Sequence, residues 1–140
     1  MDKIMCEITE DYVSFETAKL LKEKGFNCDE ISCIRVFKGH TYKIQGTVID
    51  ADEDVTIPTI QLTMKWLRKE HNKIIVPNVC INDPISGKID YYIVGIWHIP
   101  KNNGGSFCYT FPTLSTPYNG YSSYEEACEA GIKYCLENLL

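Results

Sequence analysis

The segment Thr56 to Asn72, TIPTIQLTMKWLRKEHN, constrains this chain more than any other: it is amphipathic at helical spacing and has β-type runs on both sides. Ile60, Met64, Leu67 and His71 form one stripe, while Gln61, Lys65, Arg68, Lys69 and Asn72 fall on the opposite side. Such a stripe needs a core to pack on, and the flanking runs supply a sheet. Leu62 and Trp66, one turn apart on a third sector, widen the apolar surface and imply neighbours on two sides. Pro58 near the first helical position, with Thr56 or Thr59 as cap, marks the start.

Two further helices bracket the chain. Ser14 to Phe26 has Ser14 as N-cap and Glu16 in the first turn, where a carboxylate suits the helix dipole. Gly25 as a left-handed residue just past the end would pair Leu21 with Phe26 in a Schellman ending. Near the C-terminus, Ser122 with Glu125 or Ser123 with Glu126 forms a capping-box pattern. It precedes Tyr124, Ala127, Cys128, Gly131, Ile132, Cys135 and Leu139 at helical spacing, and the small residues on that stripe would allow close approach to a sheet.

Between the helices the pattern is β-type. Cys33–Phe37 and Thr41–Thr47, separated by Lys38, Gly39 and His40, read as a hairpin, and the acidic loop Asp50, Asp52, Glu53, Asp54 leads into the central helix. After that helix, Ile74–Asn82, Ile89–Ile99 and Phe107–Pro112 are set apart by Asp83-Pro84 and Gly87, then by Asn102 to Gly105, which predicts a three-stranded meander. Pro77 demotes the first of these strands to an edge or a bulge, and Leu114–Tyr121 reads as loop. The expected fold is α+β, a single domain over 1–140. Three helices pack on an antiparallel sheet made of the N-terminal hairpin and the meander.

A chain of 140 residues has room for one sizeable core. Its apolar share of 44% and charged share of 24% are those of a soluble globular protein, and no apolar run approaches the roughly 20 residues of a membrane span. Asp2, Glu7, Glu10 and Asp11 stand where a secretory signal would carry basic and then apolar residues, so a cytoplasmic protein without a membrane partner is expected. Seven cysteines, an odd count, sit mostly inside apolar periodic runs, which argues for thiols that pack as small hydrophobes and against a disulfide framework. The net charge of −5 argues against a protein whose main work is gripping phosphates.

The segments VSFETAKLLKEKGF, IPTIQLTMKWLRKEHN and SYEEACEAGIKYCLENL, in this order and at this spacing, resemble a family of small proteins encoded by gut anaerobes and by their phages or mobile elements. The resemblance is confined to the three helices. It implies the same domain layout and an accessory, phage-linked role; it names no reaction and carries no catalytic residue over.

Several constellations invite chemistry. Cys28, Cys33 and His40 could supply three zinc ligands, but a structural site normally takes four and the chain has no CxxC or HxxxH pair, so no metal or cofactor is expected. Asp50, Asp52 and Asp54 begin like a calcium loop, which then fails at Val55, where a glycine is needed, and at Gln61, where a bidentate glutamate is needed. If Ile99 lies opposite Phe107, His98 faces Cys108, a pair that a cysteine-dependent enzyme would use; no third group or oxyanion hole is visible, and packing is the preferred reading. Lys65, Arg68, Lys69 and Lys73 crowd the outward side of the central helix, the basis of an alternative reading as a nucleic-acid accessory protein. Asn103 to Ser106 lacks the context of a phosphate loop.

The meander carries the strongest functional signal. In that register Ile89, Tyr91, Ile93, Trp97, Ile99, Phe107, Tyr109 and Phe111 share one face, and Tyr92, Val94, Ile96 and Cys108 share the other, with Gly95 opposite Phe111. Helices on one side leave an aromatic face for a partner, unless a second layer covers it. The expected function is that of a non-enzymatic binding or adaptor protein. It would self-associate as a homodimer or dock a protein partner through Ile93, Trp97, Tyr109 and Phe111.

Overall fold

The computed structural model describes residues 10–28, 32–81, 85–89, 91–99, 108–110 and 120–140. The elements run α1 (Phe15–Glu23), β1 (Ile34–Val36), β2 (Thr41–Ile44), β3 (Thr47–Asp50), β4 (Val55–Ile57), α2 (Ile60–His71), β5 (Ile74–Cys80), β6 (Tyr91–His98), β7 (Cys108–Thr110), α3 (Tyr124–Tyr134) and a π-helical turn (Cys135–Leu139). The architecture is the expected α+β, with three helices, an N-terminal hairpin and a three-stranded antiparallel meander.

Local chemistry sets the helix ends. Ser14 caps α1 by accepting the Thr17 amide at 3.1 Å. At the other end Gly25 takes φ 90°, the Phe26 amide donates to the Leu21 carbonyl at 2.9 Å, and the Gly25 amide donates to the Lys22 carbonyl at 3.2 Å. That is the Schellman pair read from the sequence. Phe26 then meets Trp66 edge-on with centroids 5.2 Å apart, so Trp66 has the second neighbour that its sector of α2 implied. Thr59, not Thr56, caps α2 by accepting the Leu62 amide at 3.1 Å, and Pro58 stands just before the cap. Ile60, Thr63, Met64 and Leu67 are buried, and left-handed Asn72 ends the helix.

The hairpin pairing differs from expectation. Phe37 to His40 does turn, with the His40 amide donating to Phe37 at 3.2 Å, but the strands it joins do not pair with each other. Gln45 and Gly46 take φ 49° and 80°, positive at both central positions, so the chain reverses within the run expected as one strand, and β2 pairs with β3. β1, left without that neighbour, pairs with β4 through Ile34↔Ile57, Arg35↔Thr56 and Val36↔Val55. Among the described residues the β-structure is therefore three antiparallel sheets, β1–β4, β2–β3 and β5–β6–β7, in place of one continuous sheet.

Helix α3 lies across β5 and β6, while α2 packs on α3 and β5, and α1 packs on β4 and α3. The centre of the molecule is thus the last helix. Its Ser123 accepts the Glu126 amide at 3.1 Å, and the Glu126 carboxylate takes the Ser122 amide at 2.9 Å. A Cβ on Gly131 would stand 2.9 Å from the Cγ2 atoms of both Ile75 and Val94, so the bare backbone there is what lets the helix reach the sheet. Leu21, Ile57, Leu67, Ile96, Ile132 and Leu136 are wholly buried in the same core. Each contributes roughly 1.5 to 3 kcal/mol relative to exposure.

Candidate docking face of the meander

The ladder registers decide which side chains share a face. Ile74↔Trp97, Val76↔Gly95 and Trp97↔Tyr109 are directly opposed, so Ile74, Val76, Ile93, Gly95, Trp97 and Tyr109 point to one side, and Ile75, Val94, Ile96 and His98 to the other. The second set is buried beneath α3, and on the first side Trp97 remains 42% and Ile74 37% exposed, with Ile93, Val76 and Tyr109 half-buried. Trp97 and Tyr109 hold each other, with ring centroids 4.8 Å apart and planes inclined at 55°. A Cβ on Gly95 would fall 2.1 Å from the Tyr109 hydroxyl oxygen, so the phenol ring lies over bare backbone. The sequence gives that covering role to Phe111, which lies outside the described residues; the ring that fills it is the diagonal neighbour's.

The edge of the sheet is blunted. Tyr92 exchanges both backbone hydrogen bonds with Tyr121, at 2.8 and 2.7 Å, so its polar groups point away from β5 and Val79↔Tyr92 is a non-hydrogen-bonded pair. Alternation along the ladder puts Pro77↔Val94 in the same class, which places the Pro77 nitrogen on the outer edge of β5. A proline there removes a donor that an added strand would need.

His98 does face Cys108, with Nε2 3.7 Å from the sulfur, but the same Nε2 lies 2.7 Å from the Thr110 hydroxyl. His98 is 5% exposed, and burial, then the nearby Lys73 charge, holds its pKa below the usual histidine value. This arrangement fixes the imidazole and offers a substrate little approach. Cys28 and Cys33 come together, whereas His40 packs beside Tyr42 at 6.4 Å between rings. The acidic loop is divided among structural contacts. Asp50 accepts from the Thr41 hydroxyl at 2.8 Å, Asp54 from the Lys38 amide at 2.7 Å, and Asp52 pairs with Lys19 at 3.4 Å. Of the basic residues, Lys65, Arg68 and Lys69 are exposed, but Lys73 is buried, because left-handed Asn72 turns the chain inward before it.

The sequence did not reveal a groove of about 960 Å³ between the β2–β3 hairpin and the starts of α1 and α3, lined by Tyr12, Phe15, Val48, Tyr121 and six carboxylates including Glu125 and Glu129. Its walls come from segments far apart in the chain, so no local pattern announces it. Several of its carboxylates already serve the fold. Glu129 accepts the Ser14 hydroxyl at 2.7 Å and the Thr17 hydroxyl, and Glu126 accepts the Ser122 hydroxyl.

No helix among the described residues is long and apolar enough to cross a membrane. No family model, curated protein or solved structure matches the chain.

Proposed function

We propose that this chain is a non-enzymatic binding protein that self-associates, as a two-fold dimer, through the outer face of its meander. The observation that carries the reading is the half-open apolar patch of Ile74, Val76, Ile93, Trp97 and Tyr109 around Gly95. An isologous interface needs only one such patch, and paired aromatic rings near its centre make good anchors. The occupant that charge favours is a second copy. Copies carrying −5 each repel, and no residue of this patch is charged, so it is a place where two can meet without adding to that repulsion. Antiparallel sheets pack face to face at about 10 Å, a geometry that Gly95 and the flat ring over it suit. With this reading go a cytoplasmic location and an accessory, phage- or mobile-element-linked role, the latter resting on the resemblance of the three helices alone.

Sedimentation equilibrium tests it. The wild type should dimerise in the micromolar range, more tightly as salt screens the like charges, and Tyr109→Asp should weaken association at least ~30-fold by burying an unpaired charge. Far-UV circular dichroism of Tyr109→Asp should be unchanged. A wild type that stays monomeric at high micromolar concentration would sink the proposal.

A further inference from the structure

Cys28 is buried just past the Schellman ending of α1, and Cys33, half-buried, stands immediately before β1. Their sulfurs are 2.7 Å apart. Carbon atoms in van der Waals contact rest at roughly 3.5 to 4 Å, and sulfur is larger than carbon, so these two sulfurs sit closer than ordinary packing brings them. Both neighbours are anchored: α1 through Phe26 on Trp66, and β1 through Ile34 opposite Ile57. The fold itself therefore holds the pair together.

We propose that Cys28 and Cys33 form a redox-responsive dithiol that low-molecular-weight disulfides of the glutathione class convert to an internal disulfide. The Cys33 thiolate, the more accessible of the two, attacks one sulfur of the oxidant and forms a mixed disulfide with it, while the other oxidant sulfur leaves as a thiolate and picks up a proton. The Cys28 thiolate then attacks the Cys33 sulfur and expels the second oxidant thiol. Two thiols of the protein lose two protons and two electrons, and one small disulfide becomes two thiols. The closed ring ties the end of α1 to the start of β1. Two competing sites are disfavoured, because Cys128 and Cys135 are wholly buried, with thiols pushed up to about 11 and about 12 by burial. This device is independent of the dimer.

The folded wild type would be equilibrated across a series of reduced-to-oxidised glutathione ratios, quenched in acid, alkylated under denaturing conditions and digested with trypsin. Cleavage after Lys24 and Arg35 releases residues 25–35, a peptide holding Cys28 and Cys33 and no other cysteine. The expected result is that this peptide loses both alkylation sites together, becomes lighter by two hydrogens and recovers with dithiothreitol, before any other cysteine reacts. Cys28→Ser should trap glutathione on Cys33. Persistent glutathione on wild-type Cys33, earlier pairing of Cys80 or Cys108, or full alkylation of the peptide in oxidised glutathione alone would each overturn the proposal.

Discussion

Trp97 on β6 and Tyr109 on β7 are directly opposed in the ladder, and their rings touch at 4.8 Å on the side of the sheet away from α3. Opposed aromatic residues stabilise a strand pair by up to about 1 kcal/mol, which is reason enough for the contact within a monomer. It is not reason enough for Trp97 to remain 42% exposed beside an exposed Ile74, since that leaves indole surface in water that a smaller residue would not.

The two faces of β6 should respond in opposite ways. Ile96→Ala, beneath α3, removes a wholly buried side chain and should cost about 2 to 4 kcal/mol of folding stability. Trp97→Ala should cost about 1 kcal/mol or less in the monomer, yet weaken self-association by about 2 kcal/mol or more. Urea melts at low concentration, paired with sedimentation equilibrium, separate the two quantities. Trp97→Ala unfolding as readily as Ile96→Ala would mean the outer face is core.

On α2, Leu67 is wholly buried and Lys69 exposed. Leu67→Ala should lose about 2 to 4 kcal/mol through the cavity it leaves, and Lys69→Ala should stay within about 0.5 kcal/mol of wild type. Urea denaturation at equal protein concentration measures both, and equal losses would contradict the assigned helix face.

Gly131 offers a test of sign. Glycine inside a helix costs about 1 kcal/mol relative to alanine, so an open position would gain from Gly131→Ala. Here the added methyl meets two Cγ2 atoms at 2.9 Å, both on β-branched side chains whose rotamers are restricted. Overpacking of this kind costs about 1 to 3 kcal/mol, so a net loss of roughly 1 kcal/mol is expected. A thermal melt showing stabilisation would mean that α3 rides higher on the sheet than described.

What the sequence made legible was local or periodic. The ending at Gly25 depends on residues a few positions apart, and apolar alternation sorts the two faces of the meander. From sequence, His98 stands opposite Cys108 on the condition that Ile99 pairs with Phe107, and the ladder does oppose His98 to Cys108. The hairpin differs from the sequence expectation because Gln45-Gly46 is not one of the dipeptides that announce a two-residue turn, although both residues adopt its positive φ angles. Strand β4 is three residues long, sits between an acidic loop and Pro58, and finds its partner only through the remote Ile34↔Ile57 pairing. Lys73 falls on the basic face by periodicity alone, which does not record that a left-handed Asn72 ends the helix before it. Of the four residues assigned to the docking face, Ile93, Trp97 and Tyr109 do share one side of the sheet, and Phe111 lies outside the described residues.

His98 should leave a mark on the pH dependence of stability. Its ring lies against Thr110 and Cys108, and burial, then the Lys73 charge, lowers its folded pKa below the unfolded value of about 6.5. Above the unfolded value both states hold a neutral imidazole and the full stability is present. As pH falls from there toward the folded pKa, the unfolded chain binds the proton first, so the folded state loses ground; below the folded pKa the loss levels off. Carboxylates titrate in the same region, and comparison with His98→Gln, which carries no charge at any pH, subtracts them. Urea melts from pH 7.5 to 5 should therefore show wild type losing more stability than the variant, whatever the variant's own offset at pH 7.5. Parallel profiles for the two proteins would show that the imidazole takes up its proton as easily folded as unfolded, and that His98 is open to water.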